Sequence, residues 1–296
     1  MLKSLFLNPP SFNGFDGAAG SRYQCTREVK SFWYPTWLAQ LAALVEGSRL
    51  IDAPARGISL AEVLPLAIEY EFLVLYTSTP SFANDVKIAE AFKEKNPNLI
   101  IAHVAVNPDQ TVIASDAIDF VAGNEFDFTI KEIAEGKPLE EVDGIVYKKD
   151  GKPVHNKPRA LIEDMDSLPW VTPIYKENLV TTDYYNGYML HPYMSFYTGR
   201  GCKSHCTFCL WPQTISGHNY RHKSVKNVID ELTYARDNFP EIKEFFFDDD
   251  TLTDNIPYVE ELAKEIGKLG ITWSCNAKAN VPYETLKIMK DNGLRL

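Results

Sequence analysis

Tyr197-Thr198-Gly199-Arg200-Gly201-Cys202-Lys203-Ser204-His205-Cys206-Thr207-Phe208-Cys209-Leu210-Trp211-Pro212 places three of the five cysteines within eight residues, spaced C-x3-C-x2-C. The stretch follows an apolar, strand-like run, Tyr193–Thr198, and a Gly-Arg-Gly turn. Three thiolates on one tight loop can hold three irons of a cubane cluster and leave the fourth iron without a protein ligand. An iron with an open position can bind a substrate or cofactor rather than only pass electrons. The cysteines converge only if the loop curls, and Gly199 and Gly201 tolerate the backbone angles that a curl demands. Structural zinc is the main rival, with His205 or His218 as a fourth ligand, and a reactive thiol is a lesser one. Zinc sites are mostly built from two separated ligand pairs rather than one three-cysteine loop.

Downstream of this loop the chain alternates strand and helix. Ser224 caps a helix to about Asn238, and Ile242–Phe247 is a strand that ends in Asp248-Asp249-Asp250. Pro257 stands at the start of a helix to Leu269, a favoured place for proline. Ile271–Ala277 is a third strand, Pro282–Asp291 a third helix, and Gly293 its C-cap. Leu294-Arg295-Leu296 opens a fourth strand. Three strand–helix units cannot close a barrel, so the expectation is a piece of a longer protein. Functional residues of such a barrel come from the C-terminal ends of its strands, which puts the acidic run on one rim with the cysteine loop. A carboxylate there suits an ammonium group, and capping of the next helix is the plainer alternative. The acidic run lacks the glycine of a calcium-binding EF loop. Asn276 and Lys278, at the end of the third strand, are candidate cofactor or substrate contacts. Cys275 reads as a buried small residue. Arg221-His222-Lys223 reads either as a site for an anionic group near a helix start or as a solvated basic patch.

Upstream, residues 1–140 read as one α/β unit. Lys3–Leu7, Arg49–Ala53, Phe72–Tyr76, Leu99–Val106 and Ile118–Ala122 are apolar strands. Helices fall at Trp37–Val45, from Ser59 with Glu62 as a capping box, at Phe82–Lys95 and at Asp127–Ala134. The alternation predicts a parallel sheet covered on both faces. Residues 141–190 break the pattern: Asp150-Gly151 signals a hairpin, and the rest is a Pro-, Asp- and Tyr-rich linker. Residues 191–296 form the second α/β unit. Cys25 has no evident partner.

With 45% apolar and 24% charged residues among 296, the chain has ordinary globular composition. A net charge of -10 leaves no basic excess for nucleic acid. No apolar run approaches the roughly 18–20 residues that span a bilayer. Met1–Leu7 reads as a first strand rather than a signal peptide, and five cysteines, three of them clustered, fit a reducing cytoplasm better than a disulfide framework.

The cysteine stretch, with Phe208 before the third cysteine, resembles the signature of the radical S-adenosylmethionine (SAM) superfamily. The resemblance implies that Cys202, Cys206 and Cys209 bind a [4Fe–4S] cluster whose open iron chelates SAM. Electron transfer, from a flavodoxin, ferredoxin or reductase, then cleaves SAM to a 5′-deoxyadenosyl radical. Phe208 matches the aromatic whose backbone lies along the adenine, and Asp248–Asp250 match the acidic strand end that holds the methionine amino group in cobalamin-type relatives. Leu7-Asn8-Pro9-Pro10, Tyr34 to Ala39 and Thr77-Ser78-Thr79-Pro80 resemble the cobalamin-binding, Rossmann-like domain that precedes many of these barrels. By that resemblance Asn8, Pro9, Ser78, Thr79 and His103 border the corrin at the sheet's C-terminal edge. Two departures stand out: there is no D-x-H-x-x-G motif, and Ile101-Ala102 precede His103 where relatives favour glycine.

Gly20 to Gln24, Ser31 to Gln40, Thr198 to Trp211 and Trp273 to Asn280 are further similar to the radical SAM proteins of hopanoid cyclitol-ether synthesis. That resemblance implies a radical ring contraction of the aminosugar on glucosaminyl-bacteriohopanetetrol, a lipid-linked substrate, by an enzyme of the cytoplasm or the inner face of the membrane. Cobalamin-dependent methyl transfer to another lipid or natural product is the alternative enzyme. An iron–sulfur or zinc module without turnover is the alternative of another class.

Overall fold

The computed structural model describes residues 1–10, 31–79, 81–104 and 108–296. Cys25, Gly20 to Gln24, Pro80 and Val106 lie outside the described residues. Seven strands form the first sheet: β1 Ser4–Asn8, β2 Arg49–Asp52, β3 Phe72–Tyr76, β4 Ile100–Val104, β5 Phe120–Ala122, β6 Ile145–Lys149 and β7 Lys152–His155. Their order is β2-β1-β3-β4-β5-β6-β7, the first five parallel and the last two an antiparallel hairpin joined to β5. Asp150 and Gly151 both take positive φ, 51° and 73°, as a two-residue hairpin turn requires. The order reverses between β1 and β3, and crevices for ligands open at such a point, beyond the strands' carboxyl ends.

Period two decides which side each strand residue covers. Leu5, Leu7, Leu73, Leu75 and Ile101 pack into one core with Ile88 and Phe92 of the helix Phe82–Lys95. Phe6, Val74, Ala102 and Phe120 face the other way, into a larger core that runs on into the second unit through Phe196, Phe247 and Trp273. Helices Thr36–Leu44 and Asp127–Ala134 line that shared core. The linker carries regular structure of its own. It holds a helix, Thr172–Asn178, whose Tyr175 donates to Ser195 O at 3.0 Å and meets Tyr34 in a tilted ring pair at 4.9 Å.

The second unit is a three-stranded parallel sheet of β8 Tyr193–Phe196, β11 Glu244–Phe247 and β12 Trp273–Cys275, ordered β12-β11-β8. A two-residue antiparallel pair, β9 Gly199–Arg200 with β10 Arg221–His222, flanks the cysteine loop. Register aligns Phe196 with Phe247 and Phe247 with Cys275, so the three strands end at one level. Leu294 bridges Trp273 in parallel, and Arg295 N donates to Trp273 O at 2.8 Å, continuing the sheet as the final residues predict. The helices Val225–Asn238 and Ile256–Leu269 start under side-chain caps: Ser224 Oγ accepts from Asn227 N, and Asn255 Oδ1 from Tyr258 N. Among the described residues no helix is long and apolar enough to cross a membrane.

Candidate active site at the cysteine loop

The loop leaves β8 through Thr198, and its root is fixed by the acidic run. Asp249 is fully buried; its carboxylate accepts the Thr198 amide and hydroxyl, each at 2.6 Å, and the Tyr220 hydroxyl at 2.8 Å. Burial pushes its pKa up to about 6 against those hydrogen bonds, which favour the ionised form. Asp250 Oδ2 accepts from Gly201 N at 2.9 Å and from Ser216 Oγ at 2.6 Å. The two glycines serve different ends. Gly201 has φ +95°, and a Cβ on it would lie 2.3 Å from Asn219 O. At Gly199 the need is close approach: a Cβ would lie 2.5 Å from Arg221 O across the β9–β10 pair.

Two cavities meet at this rim. The first, of about 510 Å³, is walled by Cys202, Cys209, Asp248, Asp249, Asp250, Asn276, Trp37, Tyr197 and Trp211. The second, of about 480 Å³, includes Asn8 and Tyr76 at the ends of β1 and β3, with Trp33 and Tyr34 from the segment between. Trp37, Tyr197, Trp211 and Asp248 belong to both. The Trp37 ring lies 5.2 Å from Tyr197 and 6.5 Å from Trp211, so one indole of the first unit stands between the two spaces. Asp248 Oδ1 accepts from Asn276 Nδ2 at 3.1 Å, which brings the second and third strand ends together.

The expected contacts divide accordingly. Asp248, Asp250 and Asn276 stand at the thiol cavity with carboxylate or amide groups. Asp249 also borders that cavity, with both its oxygens accepting hydrogen bonds from Thr198 and Tyr220. Lys278 lines neither cavity: its ammonium pairs with Asp254, whose other oxygen receives the Lys203 amide at 2.8 Å. Phe208 is 91% exposed. Arg221 and Lys223 are neither a solvated patch nor an open anion site, since Glu125 and Glu231 pair with them in the interior. Cys275 is a partly buried thiol that burial pushes up to about 12, which keeps it protonated and inert.

The cobalamin-side candidates separate in the same way. Asn8 lines the second cavity while donating to Asp52 at 2.7 Å, and its Oδ1 is buried without a partner. Pro9, Ser78, Thr79 and His103 are not among that cavity's walls. His103 Nδ1 lies 2.7 Å from Thr77 Oγ1, its Nε2 is unpartnered, and burial pushes its pKa down to about 3, so the ring is neutral.

The donor chemistry fits an iron–sulfur cluster. Cys202, Cys206 and Cys209 are free thiols on one loop, two of them open to one cavity. Among the described residues no three His, Cys, Asp or Glu side chains are already gathered around a metal position. The histidines of a zinc reading are engaged otherwise: His218 Nδ1 lies 3.1–3.2 Å from the Ser204 and Cys202 carbonyls, and its ring stacks on His205 at 4.0 Å.

Residues 196–296 match the family described as the Radical SAM superfamily. A protein named as an uncharacterized methyltransferase of Pyrococcus horikoshii is 30% identical over 275 residues, covering 88% of this chain and 58% of its own length. The cytidylyl-2-hydroxyethylphosphonate methyltransferase of Streptomyces wedmorensis is 34% identical over 100 residues, 33% of this chain and 18% of that protein. The chain thus spans little more than half of the longer-matching relative. Among solved structures, the radical SAM methyltransferase TsrM of Kitasatospora setae, with cobalamin and a [4Fe–4S] cluster bound, superposes with a TM-score of 0.70 at 13% identity, covering 99% of this chain and 57% of that one. The cobalamin-dependent SAM radical enzyme OxsB gives 0.64 at 17% identity, over 88% of this chain and 40% of its own. The α/β fold, with its mostly parallel sheet, is therefore similar to that of the cobalamin-binding radical SAM enzymes TsrM and OxsB.

Proposed function

We propose that the full-length protein is a cobalamin-dependent radical SAM methyltransferase. The observation that carries this reading is the adjacency of the two cavities, one at the sheet's switch point and one at the thiols, with Trp37, Tyr197, Trp211 and Asp248 in common. The methyltransferase names of the relatives and the likeness in fold to TsrM support it. They support methyl transfer over the ring contraction that the hopanoid resemblance implies.

In this reading residues 1–140 are the corrinoid-binding unit and residues 191–296 the SAM-binding one. Cys202, Cys206 and Cys209 hold the cluster. Asp248 and Asp250 present carboxylates to the methionine ammonium, and Asn276 orients Asp248 by its 3.1 Å hydrogen bond. Asn8 offers an unpaired carbonyl to an amide of the corrin rim. When bound, the cluster supplies an electron and an open iron, and the corrinoid supplies a metal that carries a methyl group. The aromatic walls exclude water and take up an apolar body, which a lipid or natural-product substrate provides. The electron comes from an external donor of the flavodoxin or ferredoxin kind.

The test is anaerobic purification of the full-length protein with metal analysis, optical spectra and product analysis after reduction. The expected result is about four irons per chain, a bound corrinoid, and S-adenosylhomocysteine formed with a methylated product. Cys202→Ala should remove the iron. Zinc in place of iron defeats the superfamily chemistry, and 5′-deoxyadenosine without methyl transfer or corrinoid returns the case to ring contraction.

A further inference from the structure

Four charged side chains far apart in sequence meet in the interior between the two units. Arg200 Nη1 and Nη2 donate to Asp127 Oδ2 and Oδ1 at 2.7 and 3.0 Å. Arg221 Nη1 and Nη2 donate to Glu125 Oε2 and Oε1 at 2.8 and 2.9 Å, and Arg200 Nη1 lies 3.6 Å from Glu125 as well. All four side chains are at most 4% exposed. The carboxylates belong to the first unit, following β5 at the start of the helix Asp127–Ala134; the guanidiniums belong to the β9–β10 pair of the second. The Arg200 guanidinium also lies over the Trp37 ring, 4.6 Å from its centre.

From these pairs we infer that Glu125 and Asp127 are positioning residues for the cysteine loop, acting through Arg221 and Arg200. This rests on the reading that the loop holds the cluster. Two routes lead to the loop. Arg200 is two residues from Cys202 along the chain. Arg221 Nη2 donates to Ser216 O at 2.6 Å, Ser216 Oγ donates to Asp250, and the same Asp250 oxygen receives the Gly201 amide. A fork-on-carboxylate pair admits essentially one geometry, unlike a lysine pair, and in the interior no water replaces a lost partner. The loop root cannot shift relative to the first unit without unpairing a buried charge. The first unit thereby holds the thiols, and Trp37 between the cavities, in one register.

The test uses Asp127→Asn in the full-length anaerobic protein, which keeps side-chain volume and removes the charge, with Arg200→Lys and Glu125→Gln as milder variants should it fold poorly. Glu265→Gln, in the exposed pair with Lys268, is the control. The readouts are native-state amide exchange over residues 199–202, the rate of iron loss, and the electron spin resonance spectrum of the reduced cluster. We expect exchange at the loop root to rise by about tenfold or more, iron to be lost several times faster, a changed cluster spectrum, and no rescue by lysine at 200. Variants that only unfold at lower denaturant, with parental loop exchange and parental iron retention, overturn the inference and leave these pairs as ordinary packing. The exchange measurement does not depend on iron, so a parent protein lacking iron would count against the proposed function and not against the positioning role.

Discussion

Asp249 takes the amide and the hydroxyl of Thr198 on its two carboxylate oxygens, each at 2.6 Å, and so ties the end of β11 to the second residue after β8. Its neighbour Asp248 instead faces both cavities. Replacing the two should therefore have opposite consequences. Asp249→Ala strands a buried amide and the Tyr220 hydroxyl, at a cost of about 3 kcal/mol, and iron content should fall with it. Asp248→Ala should unfold near the parental midpoint, keep its iron, and bind SAM about tenfold or more weakly, as loss of a charge-assisted contact implies. Denaturant titration, iron analysis and SAM binding separate the two; equal loss of stability would defeat the division of roles.

Gly201 should not accept a side chain. At φ +95° with Asn219 O 2.3 Å from the place of a Cβ, Gly201→Ala must shift backbone against backbone, with strain of about 1–3 kcal/mol. The expected outcome is a lower unfolding midpoint and fewer irons per chain, while Gly151→Ala, whose Cβ meets nothing within 4 Å, should cost the first effect in smaller measure and leave the iron unchanged.

Trp37 is predicted to matter for the second cavity more than for the cluster. Trp37→Ala removes the ring shared by both spaces and leaves Cys202, Cys206 and Cys209 untouched. Iron content should stay at the parental value and corrinoid retention on gel filtration should drop. Retained corrinoid together with lost iron would contradict the partition.

Asp85 gives the first unit a pH dependence of known sign. It is fully buried and takes hydrogen bonds from Ser81 Oγ at 2.6 Å and Asn84 Nδ2 at 3.2 Å, with Thr77 beside it, yet burial dominates and raises its pKa to about 7. A folded-state pKa above the unfolded one favours the protonated carboxyl, so the stabilisation is complete below about pH 4 and is lost as pH rises through 7. Asp85→Asn should therefore gain on the parent as pH goes from 5 to 8, by an amount on the order of 3 kcal/mol at most. Thermal unfolding of both proteins across that range measures it, and a constant difference would disprove the shift.

Local pattern carried much of this molecule. Runs such as Phe72–Tyr76, the Asp150-Gly151 turn and the Ser224 cap each depend on neighbours within a few residues, and the strands, hairpin and helix start stand where those residues place them. The C-x3-C-x2-C spacing located the thiols, and strand alternation after Phe247 already separates Asp249 from Asp248 and Asp250. What escaped was everything that joins distant parts. Asp127 and Arg200 are 73 residues apart, and no period or motif links them; Arg221 and Lys223 read as an anion site or a solvated patch until Glu125 and Glu231 are seen to pair with them.

The cysteine stretch by itself put three thiols on one loop, a property of spacing, and carried the resemblance to the radical SAM superfamily. Tertiary structure alone decided which acidic residue is buried, that Trp37 enters between the cavities, and that two guanidiniums lock the loop to the first unit. Those outcomes depend on burial and long-range pairing, where desolvation selects one partner among many, and a linear pattern does not contain the distance that makes the choice.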